Sequence, residues 1–146
     1  MNFETRVRIE RPVEEVFDYV SDPITFPSWN SAVRSVERTS AGADGIGATY
    51  RMERDLPGGR AENALEVVDA QRPTLFVIRT TSGPTPFLYR YVLAPEGSAT
   101  QLALAAEVEL GGLAGGLGPL ASRAVKRGVD SNFADLKRVL ESSRDR

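Results

Sequence analysis

The sequence predicts an α+β domain: an antiparallel sheet of about seven strands, two short helices after the first strand, and one long C-terminal helix laid against the sheet. Three observations carry this. Leu117, Leu120, Ala121, Ala124, Val125, Gly128, Val129, Phe133, Leu136, Val139 and Leu140 recur at helical spacing, with Arg123, Lys126, Arg127, Lys137 and Arg138 mostly between them. The chain from Ser31 to Leu110 consists of short alternating runs separated by glycine and proline turns. No other long helical stripe exists, so the terminal helix must cover strands.

Each element follows in order. Phe3, Thr5, Val7 and Ile9 alternate with charged residues, as in a half-buried strand. Arg11-Pro12 ends it, and Pro12 opens a short helix whose apolar positions are Val13, Val16, Phe17 and Val20; Glu14 and Glu15 lie near its positive end. Asp22-Pro23 caps and starts a second short helix, which Pro27 limits. Strands are expected over 31–38, 48–54, 61–69, 75–81, 87–93 and 100–110, with turns at Gly42–Gly47, Pro57-Gly58-Gly59, Ser82-Gly83-Pro84 and Pro95-Glu96-Gly97. The terminal helix, Gly118 to Glu141, takes Pro119 in its first turn and would be roughly 36 Å long. No repeat or linker divides the chain, so residues 1–146 are expected to form one domain.

Composition bounds the function. At 146 residues, 41% hydrophobic and 26% charged, the chain can bury a core without disulfides. A net charge of −2 gives no basic field for nucleic acid. The absence of cysteine and histidine removes Ser-His and Cys-His nucleophilic machinery and the usual zinc ligands, so neither a metal nor a cofactor is expected. No apolar run is long enough to span a bilayer, and the N-terminus has no apolar signal core; a soluble, cytoplasmic protein without stable membrane insertion is expected.

Gly116-Leu117-Gly118-Pro119-Leu120-Ala121 matches a dinucleotide fingerprint, but no βαβ context surrounds it. Gly111 to Gly118 reads instead as a joint that folds the helix back over the sheet, or as a gate. The carboxylate pairs Glu53/Asp55, Glu62/Glu66 and Glu107/Glu109 share strand faces, and the last two pairs lie opposite apolar residues; a solvated surface explains them better than acid–base chemistry. The basic residues of the helix read as a solvated face, with weak contact to anionic lipid as the functional alternative.

The stretch RPVEEVFDYVSDPITFPSWNSAV resembles the opening of the START-like, helix-grip superfamily (the SRPBCC group). GIGATYRM, VVDAQRPTLF and NFADLKRVLE are similar to later landmarks of its polyketide cyclase/dehydrase branch. The resemblance implies a curved sheet gripping the C-terminal helix around an apolar cavity. It implies a small hydrophobic ligand, lipid-like or polycyclic, held by a binding or carrier protein. It also leaves open a polyketide aromatase/cyclase or dehydratase, and a protein-interaction module with a vestigial cavity is a third reading.

Strand parity nominates the cavity wall. If Arg90 points outwards, Phe87, Tyr89, Tyr91 and Leu93 point in. Tyr50, Met52 and Arg54 share a face, as do Asn63, Leu65 and Val67, while Phe76, Ile78 and Thr80 oppose Arg79. Leu104 belongs to the inward face of the last strand. Leu117, Ala121 and Val125 face it from the helix, and Trp29 borders the sheet entrance by the family pattern. Polar tips at Arg54, Asn63, Thr80, Tyr89 and Tyr91 favour a ligand site, because a closed apolar core has little use for so many. Ordinary core packing is the competing explanation for these side chains.

Overall fold

A computed structural model describes residues 1–42, 45–56, 58–110 and 118–142. Strand β1 (Asn2–Ile9) leads into α1 (Val13–Val20) and a 3₁₀ helix (Pro23–Ser28). Strands β2 (Val33–Arg38), β3 (Thr49–Leu56), β4 (Gly59–Gln71), β5 (Leu75–Ser82), β6 (Phe87–Glu96) and β7 (Ala99–Val108) follow, and α2 (Gly118–Ser142) closes the chain. The seven strands form one antiparallel sheet in the order β1-β7-β6-β5-β4-β3-β2.

This order puts β1 and β2 at opposite edges although only α1 and the 3₁₀ helix separate them in sequence. Those helices therefore carry the chain from one edge of the sheet to the other. In α1 the predicted spacing buries Val13, Val16, Phe17 and Val20. Pro12 is the N-cap rather than the first helical residue, and its carbonyl accepts from the N–H groups of Glu15 and Val16. Asp22 caps the 3₁₀ helix by accepting from the Ile24 N–H at 3.1 Å, with Pro23 just inside it.

Parity holds through most of the sheet. Leu102, Leu104, Ala106 and Val108 of β7 are buried, and so are Phe87, Tyr91 and Leu93 of β6, whereas Arg90 is exposed. Replacing Tyr91 with alanine should cost about 3–5 kcal/mol, while Arg90→Ala should stay within about 0.5 kcal/mol. Urea unfolding of the two variants checks the orientation of β6; the reverse ranking would turn its inward face outwards.

Register shifts interrupt the pairing at Val33/Ser35, Ala64/Leu65 and Val67/Asp69, and one expected turn is strand. A register shift between Val67 and Asp69 of β4 inserts Val68, which is 41% exposed, and resets the pairing so that Ala70 meets Phe76. Strand β6 runs through Pro95 to Glu96, where a turn was expected, leaving only Gly97-Ser98 between β6 and β7. Proline is tolerated there because pairing with β5 ends at Leu75↔Val92, so no β5 carbonyl lacks its N–H.

Burial along α2 is graded. Phe133, Leu136 and Leu140 are fully buried, Ala121, Val125 and Val129 are half-buried, and Leu120, expected on the buried stripe, is 68% exposed. The second half of the helix is pinned to β1. Asp130 accepts from the Thr5 hydroxyl, Glu141 accepts from the Glu10 N–H at 2.8 Å, and Lys137 donates to the Arg8 carbonyl at 2.6 Å. The first half stands clear of the sheet, and the space beneath it is the site described next. Of the joint expected over 111–118, residues 111–117 lie outside the described residues, as do 43–44 and 57 in two of the predicted turns.

Candidate functional site

A cavity of about 330 Å³ lies between the sheet and α2. Met52 and Arg54 of β3 and Phe87, Tyr89 and Tyr91 of β6 form its floor. Phe26, Trp29 and Val33 form a side wall, and Val125, Gly128, Val129 and Asn132 form the roof. Gly128 costs the helix about 1 kcal/mol relative to alanine; a Cβ there would meet nothing within 4 Å, so its absence widens the space under the helix.

The wall is aromatic. Phe87 and Tyr89 have ring centroids 4.3 Å apart, Tyr89 meets Tyr91 edge-on at 6.2 Å, and Tyr91 stacks on Phe133 at 6.3 Å. Trp29 contacts Phe133 at 6.3 Å and Phe26 at 5.5 Å, so the rings run from β6 through α2 to the 3₁₀ helix. Such surfaces offer area at low entropic cost and bind flat apolar molecules.

The polar groups are few and fixed. Arg54 donates from Nε to Asn63 Oδ1 at 2.9 Å and from Nη2 to the Pro84 and Thr85 carbonyls at 2.8 and 3.3 Å, with its guanidinium 5.8 Å from the Phe87 ring centre. Asn63 is fully buried and donates to the Ser82 and Pro84 carbonyls at 3.1 and 2.9 Å. Two strands and the β5–β6 loop thus hold the guanidinium in one place. Among the described residues Arg54 has no carboxylate partner, and its Nη1 has no hydrogen-bond partner. Burial lowers its pKa, with Tyr89 opposing.

Burial pushes the Tyr89 phenol up to about 12 despite the charge of Arg54, and burial, then Tyr89, raises Tyr91 well above an ordinary phenol. Both stay protonated at neutral pH. Among the described residues neither hydroxyl has a hydrogen-bond partner.

Residues 1–141 match the family described as polyketide cyclase / dehydrase and lipid transport. The chain belongs to that family. Solved structures with the same fold include a protein from Thermus thermophilus, 20% identical, with a TM-score of 0.83 over 98% of this chain and 99% of that one. The Zhui aromatase/cyclase from Streptomyces is 16% identical, with a TM-score of 0.78 over 97% and 93% of the two chains. A START superfamily protein from Mycobacterium smegmatis is 18% identical, with a TM-score of 0.77 over 97% of each. No curated protein matches the chain in sequence. The START-like helix-grip architecture anticipated from sequence is therefore that of the family, and among the described residues no helix is long and apolar enough to cross a membrane.

Within this family fold the sequence-nominated residues divide into three groups. Trp29, Met52, Arg54, Phe87, Tyr89, Tyr91 and Val125 converge on the cavity. Tyr50, Leu65, Phe76, Ile78 and Leu104 face the same side of the sheet but do not line it; they pack into the core around it. Asn63 stands behind Arg54, Ala121 sits half-buried one turn before the roof, and Leu117 lies outside the described residues.

Sequence reading missed Asn132, Asn30, Phe26, Val33 and Gly128 as lining residues. A signal existed for the helical ones: Val125, Gly128, Val129 and Asn132 fall at i, i+3, i+4 and i+7, a single face. The carboxylate pairs behave as surface groups, with Asp55, which also lines the cavity, paired to Arg34, Glu62 to Arg51 and Glu66 to Arg79, and with Glu107 and Glu109 exposed. Lys126, Lys137 and Arg138 pair along the helix with Asp130, Glu141 and Asp135.

Proposed function

We propose that the protein binds a small, ring-bearing hydrophobic molecule in this cavity and acts as a binding or carrier protein. The observation that carries the reading is an aromatic cavity of about 330 Å³ whose few polar groups are held in place yet incompletely paired. At about 30 Å³ per water this volume equals roughly eleven waters. That size lies within the range of small-molecule pockets, about 300–1,000 Å³. The ionisable side chains on the cavity wall also favour binding over proton-transfer chemistry. Arg54 is a cation, Asp55 is exposed and paired with Arg34, and both phenols are raised above an ordinary phenol, whereas an efficient general acid or base titrates near the working pH.

A ligand that binds only the folded state raises the melting temperature by mass action. Trp29 lies in the wall and is the only tryptophan, so its emission should change with the same concentration dependence. We expect both effects from bicyclic phenols or quinones and no emission change in Trp29→Phe. If fatty acids, sterols, quinones and polycyclic phenols all leave melting temperature and emission unmoved, and an organic extract of the purified protein is empty, a packed interaction module becomes the better reading.

Arg54 favours a second reading, in which the cavity folds a poly-β-ketone and the guanidinium stabilises an enolate. The shared fold with the Zhui aromatase/cyclase supports it at the level of architecture. Incubation with a reactive polyketone separates the two: a changed product distribution, lost in Arg54→Met, indicates catalysis.

A further inference from the structure

We infer that Asn132 and Asn30 form a second polar station in the cavity, remote in sequence from Arg54, that reads a carbonyl-type oxygen of the ligand. The inference rests on the reading of the cavity as a ligand site and adds the chemistry that site selects. Both residues line the cavity. Both amides have a fixed orientation, because each oxygen is taken by a backbone N–H at the corner entering β2. Asn132 Oδ1 accepts from Ser31 at 3.3 Å, and Asn30 Oδ1 accepts from Ala32 at 3.1 Å. The corner itself is held by the Asn30 N–H bonded to the Phe26 carbonyl at 2.8 Å and the Val33 N–H bonded to the Asn30 carbonyl at 3.1 Å.

Each oxygen thus points at the backbone of the corner, which turns the Nδ2 donor of each side chain away from it. Among the described residues neither Nδ2 has a hydrogen-bond partner. Asn132 is only 8% exposed, so a wholly unmet donor there would be costly. Its Nδ2 is not sealed in protein, since Nε of Arg11 is the sole unpartnered buried side-chain nitrogen or oxygen among the described residues. The surface it retains belongs to a cavity-lining side chain.

Arg54 Nη1, the two amide nitrogens and two phenol hydroxyls give three pure donors and two groups that can donate or accept. Asp55, the one carboxylate among the described lining residues, is paired with Arg34, so the lining selects molecules rich in acceptor oxygen: ring ketones and quinones over hydrocarbons. A site built around unpaired buried donors discriminates strongly against an analogue that lacks the acceptor, because the donors then stay unmet.

The test uses two probes of nearly equal size, 1-tetralone and tetralin, titrated against Trp29 emission. The full-length protein should bind 1-tetralone about tenfold more tightly than tetralin, the value of one well-made hydrogen bond. In Asn132→Asp the Ser31 contact is kept while the donor becomes an acceptor, and the tetralone-to-tetralin ratio should fall to near one. In the unmodified protein the side-chain amide resonances of Asn132 should shift with 1-tetralone and much less with tetralin, a readout that does not depend on the variant folding. Equal binding of the two probes to the unmodified protein overturns the inference while leaving the cavity reading intact. A ratio unchanged in Asn132→Asp assigns the carbonyl to Arg54 or the phenols and overturns it too. Failure of both probes to bind overturns the inference, and the cavity reading falls with it only when the wider ligand panel and the organic extract fail too.

Discussion

Phe133→Ala is expected to destabilise the protein by about 3–5 kcal/mol. The ring is 2% exposed and, among the described residues, is the one aromatic link between two walls: Trp29 at 6.3 Å and Tyr91 at 6.3 Å, the latter stacked at 21°. Each aromatic pair adds about 0.5–1.5 kcal/mol beyond buried area, and the truncation leaves a void that adjoins the existing cavity instead of collapsing. Against a typical total of about 5–15 kcal/mol, the loss is a large fraction of stability. Leu136→Ala, also fully buried, should cost about 2–5 kcal/mol, whereas Leu120→Ala should change stability by less than about 0.5 kcal/mol because its side chain faces solvent. Urea unfolding followed by circular dichroism orders the three. A loss below about 1 kcal/mol for Phe133→Ala would mean that α2 is not docked through this ring.

That gradient along α2 also marks how far the sequence could be read. Periodicity placed the helix and its face correctly, because a stripe of Val125, Val129, Phe133, Leu136 and Leu140 has no other use in water. It could not say that the first turns stand over open space, since Leu120 and Leu136 are the same residue type on the same stripe. The strands show the same limit. Parity separates Arg90 from Tyr89 and Tyr91 because a period of two is forced by the backbone. Parity does not tell whether an inward side chain meets another side chain, as Leu65 and Ile78 do, or a void, as Met52 does; that depends on how the helix sits over the sheet. Parity still places Val68 outwards, but it fails beyond it, where the bulge turns Ala70 onto the core, because a bulge leaves no mark in composition. Asn132 escaped notice because a polar residue in an amphipathic helix reads as solvated, and only its place seven residues beyond Val125 puts it back on the inner face.

Asn63→Leu should be nearly as damaging as the loss of Phe133, for a different reason. Asn63 is 0% exposed and makes three side-chain hydrogen bonds: it accepts from Arg54 Nε and donates to the Ser82 and Pro84 carbonyls. A hydrogen bond to a charged group contributes about 1.5–3 kcal/mol, and each buried group left unmet costs about 1–3 kcal/mol, so a loss of about 3–5 kcal/mol is expected. The loop above it leaves no room for relaxation. Gly83 adopts φ +97°, and a Cβ there would lie 2.3 Å from the Glu62 carbonyl oxygen and 2.7 Å from Asn63 Nδ2. Thr85 sits at φ 52°, a left-handed conformation uncommon for threonine, and its carbonyl is one that Arg54 holds. Arg54→Met alone should cost less, about 1–3 kcal/mol, because it strands only the buried Asn63 Oδ1, while the exposed Pro84 can turn to water. The pair Arg54→Met/Asn63→Leu should then lose less than the sum of the two single changes, by about 1–3 kcal/mol, since neither partner is left unmet. Strict additivity in denaturant titrations would show that Arg54 and Asn63 do not act as a unit, and the arginine would lose its claim to be a pre-positioned group of the cavity.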